Sequence, residues 1–275
     1  MTEPTIVRAA PVSSGILSSA RPLRTALGQT GKWVLSLAVL YALWRWVAVP
    51  NVSSLFLASP DAVFAKIWQW TLDGTLVQMV WTTLSEAVLG MAFGAVVGIA
   101  LALVATLGPK EAGGVINPVF AALYAMPKFA LIPLLLVWLG RDTPSRVIFV
   151  AITVVPIIFL NMVTGLKTVD PAKVRMIRLF GGGSWQVATK LLLPQTAGYL
   201  GTALTISAHN AIASAVGAEI LFGAADGLGG MMYTSAFTFS TDAVIGALLV
   251  ATIFSTLFIG IFQIFSRIGS SRTIG

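Results

Sequence analysis

The chain has 275 residues, 57% of them hydrophobic and only 10% charged, with a mean hydropathy of +0.90. Soluble domains carry about 25% charged residues, so a water-soluble fold of this composition would leave too much apolar surface exposed, and the chain reads as an integral membrane protein. The net charge is +7, with no cysteine and one histidine, His209; disulfides and cysteine-ligated metals are excluded, and a histidine-built metal site or catalytic triad is not expected. No basic soluble module is present that would bind nucleic acid.

The first 32 residues are rich in Pro, Ser, Gly and Thr and carry Arg8, Arg21, Arg24 and Lys32. They run too long and too polar for a secretory signal and predict a disordered cytoplasmic tail over 1–32. Runs of about 20 apolar residues span a bilayer as helices. Six follow: Trp33 to Val49, Val80 to Leu107, Ile116 to Leu139, Val147 to Leu166, Ala197 to Phe222, and Ala243 to Phe265. The expectation is therefore an all-α integral membrane fold, with a permease domain over 33–267 and a short tail over 268–275.

Lysine and arginine set the orientation. With the N-terminus inside, twelve fall on the cytoplasmic side, among them Lys110, Lys167, Lys173, Arg175, Arg178 and Lys190, and three (Lys66, Arg141, Arg146) outside. Both termini are thus expected in the cytoplasm.

Between the first two spans, "SPDAVFAKIWQW" opens with Ser59-Pro60-Asp61, a helix-start signal, and predicts a short helix on the outer surface, held by packing or by tryptophan anchoring. "NVS" at Asn51 fits a glycosylation acceptor, a motif short enough to arise by chance. In the second span Glu86, Gly90, Gly94 and Gly98 share one helix face; small residues at this spacing let another helix approach closely. Glu86 lies near the outer end, where hydration is expected. The third span holds Lys128 between Pro127 and Pro133, which loosen the backbone. Such a lysine either snorkels to an interface or serves a polar cavity.

The fifth span, "GTALTISAHNAIASAVGAEI", is small and polar. Ser207, Asn210, Ser214 and Gly217 recur at three- and four-residue steps, and His209 and Glu219 add titratable groups. Two readings stand: interhelical hydrogen bonding, or the lining of a pathway formed by Lys128, Ser207, His209, Asn210 and Glu219. Lys128 and His209 on a common path would favour an anionic solute. The segment "GAADGLGGMMYTSAFTFSTD" that follows predicts a short re-entrant or surface helix.

The loop between the fourth and fifth spans, over 167–195, is basic and broken by glycine. Asp170-Pro171 starts a helix, and Val174, Ile177 and Phe180 recur every third residue along it. Gly181 to Gly183 end that helix. Ser184 caps a second one, Trp185 to Leu193, which Pro194 closes. The result is a two-helix hairpin, suited either to lipid headgroups or to docking a cytosolic partner. The Gly31-Lys32 pair lacks the glycine spacing of a phosphate-binding loop, and neither HExxH nor GxSxG is present, so no ATP site or hydrolase nucleophile is expected.

"DPAKVRMIRLFGGGSWQVATKLLLP" resembles the cytoplasmic signature loop of permease subunits of bacterial ABC importers, with Asp170-Pro171, Gly181, Trp185-Gln186 and Leu193-Pro194 on matching positions. "SPDAVFAKIW", "AMPKFALIPLLLVWLG" and "GAEILFGAADGLGG" extend the likeness over roughly Leu57 to Arg267. The chain is similar to the sulfonate/nitrate/taurine branch of binding-protein-dependent type I importers. The resemblance implies a multi-pass protein of the bacterial inner membrane, paired with a second permease copy in a homodimer. It implies two cytosolic ATPase subunits that bind ATP and Mg, an extracytoplasmic substrate-binding protein, and no cofactor in this chain. Arg175, Met176, Ile177, Arg178, Phe180, Gly181 and Trp185 would form the coupling helix. Arg175-Met176-Ile177 stands where the family usually has Glu-Ala-Ala, and Lys128 where relatives often carry a second proline. The alternatives are an ABC permease for a small heterocycle, or an ion-coupled secondary transporter using Glu86, Glu219, Lys128 and His209; the latter lacks a convincing internal repeat.

Overall fold

The computed structural model describes residues 21–271; the rest of the expected tails, 1–20 and 272–275, lies outside them. The described residues form helices joined by short turns and loops, with no strand among them. The chain divides into two compact units, Met1–Val52 and Ser53–Gly275.

The first unit holds α1, Arg21–Ala42, which continues through a π turn, Leu43–Ala48, into Val49–Asn51. The expected disordered tail is therefore helical from Arg21 onward. Pro22 stands in the first turn, where proline is tolerated, and Leu23, Arg24, Ala26 and Leu27 are good helix formers. Val34–Asn51 is apolar enough to cross a membrane, and none of it is buried within the chain. Leu35, Leu40 and Trp46 are all more than 60% exposed, as expected of a helix whose solvent is lipid.

The second unit begins with α2, Pro60–Leu72, followed by α3, Thr75–Leu107. Ser59 Oγ accepts from Ala62 N at 3.3 Å, the cap expected from the sequence. Trp70 is buried and lies where a Cβ on Gly246 would meet it at 3.2 Å. The short helix is thus held by packing on the last helix, while Trp68 stays 64% exposed.

The predicted single span 116–139 is two helices, α4 (Lys110–Ala125) and α5 (Ile132–Leu139), joined by the 3₁₀ turn Lys128–Leu131 and bent by 95°. The cause is Pro127. The residue before a proline is pushed out of the α region, and Met126 is extended at φ −67°, ψ 140°. Pro133 falls in the first turn of α5, where it needs no donor.

α6, Thr143–Leu166, is the central helix: Phe149, Val150, Val154, Ile158, Phe159 and Met162 are all 0% exposed. Its partnership with α3 is set by the glycine face. A Cβ at Gly90 would lie 2.5 Å from Val150, one at Gly94 2.9 Å from Val154, and one at Gly98 2.9 Å from Ile158. Both sequences ascend together at four-residue steps, so α3 and α6 run parallel, their backbones close because one partner has no side chains. Leucine in place of Gly94 should drive a side chain into Val154 and the Ala151 carbonyl, costing about 2 kcal/mol or more. Gly114→Ala, which meets nothing within 4 Å, should leave the thermal midpoint in detergent unchanged or raised.

α7 (Pro171–Leu179) and α8 (Ser184–Val187) form the hairpin; a π turn, Ala188–Leu192, and Leu193–Gln195 lead to α9, Ala197–Leu221. α9 runs antiparallel to α6. Ser214 Oγ meets Thr153 Oγ1 at 3.1 Å near one end, and Tyr199 packs on Gly165 near the other. α10 (Gly227–Phe237) and α11 (Thr241–Ser271) complete the unit.

Among the described residues, four helical segments are long and apolar enough to cross a membrane: Val34–Asn51, Thr75–Leu107, Thr143–Leu166 and Thr241–Ile264; the bent α4–α5 pair makes up to five. α9 has the length, 25 residues, but its small and polar residues keep it out of that set.

Candidate functional site

At one end of the bundle, where α3 and α6 begin and α9 finishes, sits a buried polar network that the sequence reading did not find. Arg146, 3% exposed, donates from Nε to Glu86 Oε1 at 2.7 Å. Its Nη2 reaches Asp226 Oδ1 at 3.1 Å and Thr143 Oγ1 at 3.2 Å, and its Nη1 reaches the Arg141 carbonyl at 3.2 Å. One turn earlier on α3, Thr83 Oγ1 donates to Glu219 Oε1 at 2.7 Å and accepts from Leu228 N at 2.9 Å. Gly229 N donates to Glu219 Oε2 at 2.6 Å.

The glycines of "DGLGG" explain why the turn fits. Gly227 has φ +80°, and a side chain there would strike the Glu219 carboxylate. Gly229 brings the first turn of α10 onto the same carboxylate, where helix N–H groups favour an anion. Arg141 adds a second clamp, with Nε on the Phe222 carbonyl at 2.9 Å and Nη2 on the Gly223 carbonyl at 2.5 Å. The network fastens the α9–α10 turn to α3 and α6.

One expectation is corrected here. Glu86 is not hydrated: it is 0% exposed, paired with Arg146, with Oε2 buried and without a partner. Glu219 is also 0% exposed, held by Thr83 and Gly229. The signal that could have found the pair is the register itself: Glu86 precedes Gly90 by four residues, as Arg146 precedes Val150.

α9 separates the remaining candidates onto two sides. Ser207 and Ser214 are buried, Ser214 bonded to Thr153 and Ser207 without a partner; Ser207, too, faces the interior of this chain. His209 is exposed and Asn210 partly so, with Asn210 Nδ2 donating to the Ile206 carbonyl at 2.9 Å. His209, Ala213 and Gly217 follow at four-residue steps, and a Cβ at Gly217 would lie 2.5 Å from Phe129. The broken helix therefore meets the stripe that carries His209, about 12 Å further along the axis at 1.5 Å per residue. Lys128 Nζ donates to the Tyr124 carbonyl at 3.1 Å and lies 5.2 Å from the Tyr124 ring centroid.

At the opposite end, where α3 and α6 finish, stands the hairpin. Asp170 Oδ1 accepts from Ala172 N at 2.7 Å. Gly181, at φ +80°, ends α7, and Gly182 N returns to the Ile177 carbonyl at 2.9 Å. Three details differ from expectation. Gly183, not Ser184, is the N-cap of α8, its N–H taken by Gln186 Oε1 at 2.9 Å. Pro194 does not close the second helix; the chain passes through a π turn, a bulge that accommodates the missing donor, and stays helical to Gln195. Phe180 does not share the packed face: Val174 and Ile177 pack on the core, while Phe180 is 87% exposed, as are Leu179 (86%) and Trp185 (78%). Met176 joins them at 54%. An apolar patch thus projects from the tip of a helix pair anchored by Val174, Ile177, Val187, Leu191 and Leu192. Arg175 and Arg178 lie on another side, with Pro171 and Val174, lining a groove against the bundle.

Residues 94–274 match the family described as binding-protein-dependent transport system inner membrane component. The chain belongs to this family.

The permease is 28% identical over 232 residues to the taurine transport system permease protein of Escherichia coli, covering 81% of this chain and 82% of that protein. It is 30% identical over 233 residues to the riboflavin transport system permease protein of Chloroflexus aurantiacus, covering 82% and 84%. Its fold is similar to that of the methionine ABC transporter in an inward-facing form, with a TM-score of 0.61 at 19% identity over 72% of this chain and 98% of that one. The permease is therefore a multi-pass inner membrane protein and the membrane subunit of an ABC importer. It is not an enzyme: ATP hydrolysis belongs to a separate ATPase subunit, and as a family component it works with a substrate-binding protein. Among the described residues no group of three or more His, Cys, Asp or Glu is arranged to hold a metal ion.

Proposed function

We propose that the permease forms, with a second copy of itself, the translocation pathway for a small anionic solute of the sulfonate, taurine or nitrate type, and that two ATPase subunits drive it through the hairpin Pro171–Leu193. The observation that carries this reading is the exposed apolar tip of Met176, Leu179, Phe180 and Trp185 on a base packed into the ends of α3, α6 and α9. Force applied at such a tip is transmitted to the spans rather than absorbed, because its root is part of the core. Arg175, Ile177, Arg178 and Gly181 belong to the same segment as its groove side, its packed root and its turn.

Six spans with both termini in the cytoplasm fit this scheme. α3 and α6 are parallel, so the chain must return between them, and the bent α4–α5 pair supplies the return. α9 returns once more as the polar crossing. Of the three outside cations, Arg146 is buried, Arg141 is bound to backbone carbonyls, and Lys66 Nζ donates to Gln69 Oε1 at 3.5 Å.

The pathway is assigned to the exposed stripe of α9, with His209 and Asn210, and to the break at Lys128. The N-terminus of a half-helix favours an anion at membrane depth, and an intramembrane lysine marks a pathway. The taurine permease relative favours a solute that carries an anionic sulfonate group; the riboflavin permease relative keeps a heterocycle as the second reading. Uptake into proteoliposomes separates these ideas. With ATP, the ATPase and a loaded binding protein, taurine or an aliphatic sulfonate should accumulate without any ion gradient, and Lys128→Ala should slow that uptake roughly tenfold, the loss of one charged contact. Uptake driven by a proton or sodium gradient alone would refute the coupling, and an unchanged Lys128→Ala rate would refute the anion assignment.

A further inference from the structure

Behind the hairpin, on the side away from its apolar tip, lies a groove of about 330 Å³ lined by Leu107, Leu166, Lys167, Arg175, Arg178 and Leu192, among others. It is open where α3 and α6 both end. Pro171, Val174, Arg175 and Arg178 fall at steps of three and four, so one stripe of α7 forms its wall. Among the described residues lining it there is no carboxylate, and Lys167, Arg175 and Arg178 take part in none of the ion pairs between described side chains. The nearby helix C-termini suit cations in general, but they neutralise none of the three.

The floor of the groove is apolar, and Leu107 is shared with a second groove of about 390 Å³ lined by Leu103, Val104, Trp185 and Leu193. Two adjoining clefts therefore present opposite chemistries, three unpaired cations in one and almost wholly apolar walls in the other. This is the complement of an amphiphile with an anionic head. Position agrees: the ends of α3 and α6 are where the apolar stretches of membrane-crossing helices give way to charged residues, the level of lipid phosphates.

We propose that this paired groove binds an anionic phospholipid, its phosphate held by Lys167, Arg175 and Arg178 and an acyl chain lying along Leu103, Val104 and Leu107. The lipid wedges between α7 and the bundle, so its occupancy sets how firmly the hairpin is seated. Nothing in the site reads the alcohol of the headgroup, and the recognised feature is the net negative phosphate.

Native mass spectrometry of the full-length chain in detergent tests this, with phosphatidylglycerol titrated against zwitterionic phosphatidylethanolamine. Phosphatidylglycerol should be retained preferentially, and each of Lys167→Gln, Arg175→Gln and Arg178→Gln should weaken it roughly fivefold. Lys173→Gln, on the same helix but outside the groove, should leave the preference intact. Arg178→Lys should preserve it too, which keeps the test valid should Arg178→Gln fail to fold. Equal retention of the two lipids, or full retention of phosphatidylglycerol by the three glutamine variants, would overturn the site. Displacement of the lipid by inorganic phosphate at millimolar concentration would show that a soluble phosphate, not a lipid, is the occupant, and would overturn the assignment to lipid.

Discussion

Replacing Phe180 and Trp185 together by alanine is expected to detach the ATPase subunit while leaving the permease folded. Both side chains are at least 78% exposed, so their loss removes little from the protein's own core. At an interface the same two residues are typical anchors: buried aromatics at hot spots are worth about 2 kcal/mol or more each when truncated. Their joint loss should weaken association by roughly a thousandfold, seen as the disappearance of ATPase from a pull-down and of hydrolysis stimulated by the loaded binding protein. The thermal midpoint of the isolated permease should barely move. Ile177→Asp makes the contrast, since Ile177 packs on the core and that change should unseat the hairpin and lower the midpoint as well. Retention of the ATPase by the double alanine variant would place the docking surface elsewhere.

Arg146→Met is expected to be far more damaging than Arg146→Met combined with Glu86→Leu. In the single variant Glu86 remains at 0% exposure with neither carboxylate oxygen paired. Removing one partner of a buried ion pair costs about 3–5 kcal/mol, whereas replacing both by apolar groups is often close to neutral. Asp226 loses the same partner, but its side chain is 47% exposed and water can replace Arg146. The single variant should therefore unfold at markedly lower denaturant or temperature, and the double variant should recover most of the loss. Similar midpoints for the two would mean that the pair is hydrated in solution and that the network does not fasten the α9–α10 turn as described.

The two ends of the bundle were legible in the sequence to different degrees, for physical reasons. Asp170-Pro171 and Gly181 act locally, through a cap and a left-handed turn, so the hairpin's outline follows from the sequence alone. Gly90, Gly94 and Gly98 also announce themselves, because an unbranched stripe in an apolar helix has few uses besides close packing. Glu86 and Arg146 are 60 positions apart in sequence, and only the parallel register of α3 and α6 brings them together. The sequence places Arg146 with the outer loop because the apolar run begins at Val147, one residue later. The fifth span misled differently: three- and four-residue spacing groups Ser207, Asn210, Ser214 and Gly217, yet the helix buries Ser207 and Ser214 while His209 faces outward. Periodicity gives the faces of a helix but not which face meets protein. The 95° break between α4 and α5 was half legible, since Pro127 marks the place but not the angle.

The central claim, that the hairpin tip is the surface through which an ATPase moves this permease, has a direct measurement available because the chain contains no cysteine. Phe180→Cys creates a single thiol at the tip, and Phe237→Cys places one on α10, 71% exposed and at the opposite end of the bundle. In a complex that hydrolyses ATP, a short bifunctional thiol-to-amine reagent should join the ATPase subunit to Phe180→Cys and not to Phe237→Cys. An ATPase adduct from Phe237→Cys, or none from Phe180→Cys in an active complex, would contradict the account.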